Sequence, residues 1–151
     1  GQKFGRPYGF FEEYRMEDAE LAIVVMSSAA GTGKDAVDEM RQEGLKIGLI
    51  KPRVFRPFPY QKMAEALKRM KAVAVLDRAS SPGAFGAPLF TEIRNALYDY
   101  SERPKVVNYV YGLGGRDTKV EHFKEVGAKL EKIRKTGKVE EMCGYLNLRE
   151  S

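Results

Sequence analysis

Leu21–Met26, LAIVVM, is an apolar run without polar alternation, and it constrains the fold more than any other stretch of the chain. A strand with one solvated face alternates apolar and polar residues. A strand that does not alternate needs cover on both faces, as in a parallel sheet between two helix layers. The residues that follow, SSAAGTGKDAVDEM, form a small-residue turn and an amphipathic continuation. Leu21–Met40 therefore predicts a strand feeding a helix, the opening half of a βαβ unit. The helix is expected to start near Gly33, to turn Val37 and Met40 inward and to end at Gly44, in the C-terminal role that glycine fills best.

The same alternation recurs downstream. Ile47–Ile50 reads as a second buried strand, and Tyr60–Met70 as a helix with Met63, Leu67 and Met70 on one side. Ala72–Leu76 reads as the third strand, followed by a helix bearing Leu89, Ile93, Leu97 and Tyr100. Val106–Tyr111 is the fourth, before a long helix with Val120, Phe123, Val126, Leu130 and Ile133 in its stripe and Thr136 and Gly137 at its end. A short tail with Tyr145 and Leu148 remains. Asp117 or Thr118 is placed to cap the last helix. The first 18 residues carry five aromatic residues without helical period and predict an arm or linker from a preceding domain, with one edge strand near Phe10–Tyr14. Residues 19–151 then form one α/β domain, of a size that stands without staples. In such a sheet the functional loops lie at the carboxyl ends of the strands. Here those loops are SSAAGTG, KPRVFRPFP, DRASSPGAFG and GLGGRD.

Composition narrows the function classes. The 151 residues are 43% hydrophobic and 31% charged, and no apolar run approaches the roughly 20 residues of a membrane helix. The N-terminus lacks the apolar centre of a signal peptide, so a cytoplasmic address is expected. One cysteine, Cys143, supplies neither an internal disulfide nor a cluster, and has no second cysteine for zinc. The net charge of +5 is concentrated between Lys46 and Lys71, where eight basic residues face one acid, Glu65. The helix lysines in that segment read as a solvated face, and no nucleic-acid reader motif accompanies them. Arg53 and Arg56 differ, because they sit among Pro52, Phe55, Pro57, Phe58 and Pro59 and are expected to have partners.

Candidate chemistry is sparse. Gly31, Gly33 and Ala36 satisfy the relaxed GxGxxG/A spacing between strand and helix, and with Lys34 they define an alternative reading as a free-standing nucleotide-binding Rossmann-like domain. Four small residues precede the first glycine, Lys51 stands where a ribose-binding carboxylate is expected, and Asp35 replaces the Ser or Thr of a P-loop. A helix start packed near another backbone is the favoured reading. His122, the only histidine, falls on the outer flank of the last helix, and Cys143 lies in the tail. Asp77 with Arg78 reads either as an acid with an orienting base or as a carboxylate binding local N–H groups. Gly114, Gly115, Arg116 and Asp117 read either as an anion site or as a tight turn whose arginine pairs with a neighbouring domain.

Taken in order, SSAAGT, EGLKIGLIKPRVFRPFP, VAVLDR with its glycine loop, and YGLGGRD resemble the C-terminal region of the alpha subunit of 2-oxoacid:ferredoxin oxidoreductases, most of all pyruvate:ferredoxin oxidoreductase (pyruvate synthase). The likeness runs from about Tyr14 to about Asp117 and is strongest at Arg56–Pro59 and at GLGGRD. It implies a three-layer α/β/α fold like the transketolase C-terminal domain, mainly parallel with an antiparallel edge strand, a place that suits Phe10–Tyr14. It further implies a holoenzyme that oxidatively decarboxylates a 2-oxoacid to acyl-CoA and reduces ferredoxin, using thiamine diphosphate with magnesium, 4Fe-4S clusters and coenzyme A, with beta, gamma and delta subunits as partners. The chain offers no cysteine set for a cluster and no GDG-to-Asn diphosphate motif. No catalytic, cofactor or metal residues are therefore carried over, and the chain alone is expected to be inactive. Arg53, Phe55, Arg56 and Phe58, then Arg116 and Asp117, are expected at the interface with the other domains.

Overall fold

A computed structural model of the chain describes residues 11–26, 29–53, 58–78, 88–112 and 118–146. Six strands and four helices alternate: β1 (Phe11–Tyr14), β2 (Leu21–Val25), α1 (Ala29–Gln42), β3 (Ile47–Pro52), α2 (Tyr60–Leu67), β4 (Ala72–Arg78), α3 (Pro88–Leu97), β5 (Lys105–Tyr111), α4 (Val120–Thr136) and β6 (Cys143–Tyr145). They form one sheet of order β1-β3-β2-β4-β5-β6. All neighbouring pairs are parallel except β1 with β3, where Phe11 lies opposite Pro52 and Tyr14 opposite Leu49. The expected antiparallel edge strand is thus present, in the expected three-layer α/β/α arrangement.

The unbroken apolar character of β2 has the anticipated cause. Leu21, Ile23 and Val25 face α1 and α4, whereas Ala22 and Val24 face α2 and α3, and all five are buried. β4 divides in the same way, with Ala72, Ala74 and Leu76 on the first face and Val73 and Val75 on the second. Phe123, Val126, Leu130 and Ile133 of α4 close the first layer, and Met63, Leu67, Leu89 and Ile93 close the second. Burial on both faces is the main stabilising term for such strands, at about 25 cal/mol per Å² of apolar surface removed from water.

Three features differ from the sequence reading. α1 begins at Ala29, four residues ahead of Gly33, because Ala29 and Ala30 favour helix and leave both glycines inside it. β6 forms in the tail, fixed to β5 by main-chain bonds such as Asn108 N–H to Met142 O (2.7 Å) and Leu146 N–H to Val110 O (2.8 Å). Its three residues, CGY, carry no pattern that separates them from a loop. The N-cap position of α4 is not Thr118, and Asp117 lies outside the described residues. Lys119 is its N-cap, and the Lys119 N–H donates to His122 Nδ1 at 2.9 Å, which gives the lone histidine a capping role.

β1 is fastened to α1 by polar groups at helical spacing. Lys34 bonds Glu12, Asp38 accepts from Tyr14 Oη at 2.9 Å and pairs with Arg15 at 3.2 Å, and Arg41 pairs with Asp18 at 2.8 Å. Arg41 also donates to the carbonyls of Arg15 (2.7 Å) and Ile47 (2.8 Å). Arg15 is the only non-glycine with positive φ among the described residues, at 60°, and this bond holds its carbonyl.

α1 and α4 approach each other and the sheet closely at two glycines. A Cβ on Gly33 would lie 2.6 Å from Leu49 Cδ1 and 3.0 Å from Phe123 Cε1, and one on Gly127 would lie 2.2 Å from Met40 Sδ. Gly31, two residues from Gly33, has nothing within 4 Å of that point. Alanine therefore acts with opposite sign at neighbouring glycines. Gly33→Ala is expected to lose about 1–2 kcal/mol, overpacking outweighing the helix-propensity gain, whereas Gly31→Ala gains about 0.5 kcal/mol. Urea unfolding of the two variants checks this, and equal shifts would refute the packing account.

Candidate functional site

The carboxyl ends of β2, β3, β4 and β5 form one rim, where an open parallel sheet ordinarily receives a ligand. The strand order switches sides between β2 and β4, whose successors lie on opposite sides of the sheet, so the crevice of this fold lies beside Met26, Asp77 and Tyr111. Tyr111 spans it. From β5 its side chain passes over β4 and its hydroxyl reaches the Met26 carbonyl at 3.4 Å, with only 2% of the residue exposed. Arg78 lies above the same ring, its guanidinium carbon 5.9 Å from the centroid. Gly112 follows with φ of 79°, and a Cβ there would lie 3.5 Å from Arg78 Nη1.

Asp77 and Arg78 do not form an acid–base pair. Asp77 is 7% exposed, and its oxygens accept from Leu89 N–H (2.9 Å) and Phe90 N–H (3.2 Å), the first free amides of α3. Asn108 Nδ2 completes the set, donating to Asp77 Oδ2 at 2.8 Å and to the Val75 carbonyl at 2.9 Å. The carboxylate is a helix cap supplied from a strand: it binds backbone N–H groups, as one of the two sequence readings had it, but those of α3, 12 and 13 positions on, and not local ones. Burial pushes its pKa above the ordinary 3.8, against the pull of the bonds from Leu89, Asn108 and Phe90. Asn108 escaped the sequence reading. Its signal was a lone amide within the apolar strand VVNYVY.

The fingerprint residues occupy a different setting from a phosphate cradle. Gly31 and Gly33 are helical, and the Gly33 face is covered by Leu49 and Phe123. Lys34 is engaged by Glu12 and lies 5.5 Å from the Tyr14 ring centroid. Its hydrogen bond holds the Glu12 carboxyl below the ordinary 4.5. Arg53 extends the same cluster, 3.6 Å from Glu12, so this guanidinium has the partner expected of it.

Phe58 is 7% exposed and packs in the core between the sheet and helices α2 and α3, with its ring centroid 5.1 Å from that of Tyr60. Phe55, Arg56, Arg116 and Asp117 lie outside the described residues. Among the described residues no group of three His, Cys, Asp or Glu side chains is arranged to hold a metal ion, and no helix is long and apolar enough to cross a membrane. Cys143 is exposed on β6.

These features define a three-layer α/β/α domain in which the rim carboxylate Asp77 is bound by the amides of α3. Solved structures with this fold include a split-gene transketolase (TM-score 0.53, 16% identity, covering 79% of this chain and 38% of that one). They also include 2-oxoglutarate:ferredoxin oxidoreductase from Magnetococcus marinus (TM-score 0.59, 18% identity, covering 84% of this chain and 20% of that one). The chain belongs to the family described as pyruvate:ferredoxin oxidoreductase core domain II, whose profile matches residues 19–123. Subunit PorA of pyruvate synthase from Thermotoga maritima is 51% identical over 124 residues, 82% of this chain and 31% of that protein. The chain spans about a third of the length of the curated relatives it matches.

Asp77 gives the site a stability signature. Its raised pKa means that its contribution is fully present below 3.8 and is lost as pH rises through the folded value. Glu12 runs the other way, contributing above 4.5 and losing that contribution as pH falls. Asp77→Ala is expected to cost about 2–3 kcal/mol by stranding buried donors. Asp77→Asn should cost less and flatten the decline on the rising-pH side, while Glu12→Gln flattens the acid limb. Urea midpoints across the pH range test both signs.

Proposed function

We infer that this chain is a non-catalytic assembly domain of the alpha subunit of a 2-oxoacid:ferredoxin oxidoreductase, most like the pyruvate enzyme. The observation that carries the reading is the 51% identity to a pyruvate synthase subunit across most of the chain. The rim supports it, since Asp77 is committed to α3 and Tyr111 reaches across β4 to the Met26 carbonyl. The holoenzyme would oxidatively decarboxylate its 2-oxoacid, transfer the acyl group to coenzyme A and reduce ferredoxin in the cytoplasm. The residues do not fit its cofactors: one cysteine cannot hold a 4Fe-4S cluster, and the sequence has no GDG-to-Asn motif for magnesium and a diphosphate. Those groups belong to other domains or to the beta, gamma and delta subunits, and this chain alone is inactive.

The contact surface is the rim. Arg53, Phe55, Arg56, Arg116 and Asp117 are assigned to it, with Phe58 seating the loop that carries three of them. Arg56→Ala in the complete enzyme should weaken subunit association or turnover about tenfold, the loss expected for one interface arginine. Unchanged association and turnover would overturn the assignment. The nucleotide-binding alternative is tested by calorimetry of this chain with NAD, NADP, ATP and coenzyme A. No tight binding is expected, and binding lost in Lys34→Ala would favour the alternative.

A further inference from the structure

A second surface runs along α3 beside β5. A groove of about 590 Å³ opens between α3, the start of β5 and the segment leading into β6. Its walls include Phe90, Arg94, Tyr98, Arg103, Lys105 and Met142, and no carboxylate lines it. Asp99 and Glu102, on the turn after α3, are outside the lining. Tyr98 is 74% exposed and Met142 45%, unusual for apolar groups of this size in a chain whose other large side chains are mostly buried.

Among the described residues, the cations of the groove are held in place without a carboxylate partner. Arg94 stacks 5.6 Å from the Phe90 centroid and donates to Met142 Sδ at 3.3 Å. Arg103 donates to the carbonyls of Tyr98 (3.0 Å) and Tyr100 (2.7 Å). Neither arginine, nor Lys105, lies within 4.0 Å of a carboxylate among the described residues. On the opposite layer and at β1 the pattern reverses: Lys34, Arg41, Lys124, Lys129, Lys132 and Arg134 each have a carboxylate within that distance. Among the described residues, three cations without a carboxylate partner beside an apolar floor of Leu97, Val106, Val139 and Met142 present complementarity to an acidic ligand with an apolar anchor. Arginine, tyrosine and methionine are also the side chains that recur in interface cores.

We propose that this groove docks an acidic, apolar-anchored peptide segment of another subunit or domain of the assembly. Carboxylates of the segment pair with Arg94 and Lys105, and an apolar side chain settles between Tyr98 and Met142. The apolar floor favours a protein over a nucleic acid, which would track cations without needing it. Arg94, Tyr98, Lys105 and Met142 are not among the residues assigned to the rim contact. The assembly reading enters only in identifying where the segment resides.

The test places the photocrosslinking residue p-benzoylphenylalanine at Tyr98 in the complete enzyme and identifies the captured peptide by mass spectrometry. A carboxylate-bearing peptide from another subunit or domain is expected, with a yield that falls as salt is raised. Arg94→Glu with Lys105→Glu should reduce that yield about tenfold, and Arg94→Lys with Lys105→Arg should preserve it. Capture of a second copy of the same segment, of nucleic acid, or of nothing overturns the proposal. So does a yield indifferent to salt, which also decides the matter if the double charge reversal fails to fold. Arg56→Ala should leave capture at Tyr98 intact, so failure at the rim and failure at the groove are read separately.

Discussion

The domain depends on how closely α1 and α4 can lie to each other and to the sheet. At Gly33 the helix surface is bare, and Leu49 from β3 and Phe123 from α4 occupy the space a methyl group would take. At Gly127 the same is true in reverse, with Met40 of α1 entering the gap. Glycine inside a helix costs backbone entropy, and here that cost is offset by van der Waals contact between fully buried groups. With this layer seated, β2 acquires its second covered face and α1 presents its polar flank to β1. The layer formed by α2 and α3 has no equivalent interlock and relies on ordinary apolar packing of Met63, Leu67, Leu89 and Ile93.

Much of this was legible in the residues. The runs LAIVV, IGLI and AVAVL identify buried parallel strands because nothing polar interrupts them, and the helix stripes follow from period alone. The start of α1 was misplaced because glycine ordinarily signals the edge of a helix, and here it signals a tertiary contact that local sequence cannot display. β6 was missed because its pairing is purely main-chain and its three residues carry no apolar alternation. At the candidate site, the capping role of Asp77 was foreseeable from its position at a strand end, yet the third bond from Asn108 comes from a residue 31 positions away. Tyr111 was read only as the end of a strand, since reaching across β4 to Met26 is a property of the assembled sheet.

At the rim Tyr111 reaches across β4 to the Met26 carbonyl, in the place where a ligand-binding α/β fold opens its crevice. Free helix amides that might hold an anion are satisfied by Asp77 at α3, and at α4 the histidine ring takes the N-cap amide. Internal satisfaction of this kind favours a rigid platform. A platform suits a family whose curated members are named as subunits and are about three times longer than this chain.

The fastening of β1 has a consequence for the order in which the sheet opens. β2, β4 and the middle of β3 are sealed by apolar contacts on both sides, whereas β1 is joined along one edge and tied to α1 by half-exposed ionic groups. Such groups are weakened by salt and by acid, and exposed pairs are individually worth little. Amide protons of Phe11–Tyr14 therefore exchange by a low-energy opening that leaves the other five strands intact, and ionic strength sets its frequency.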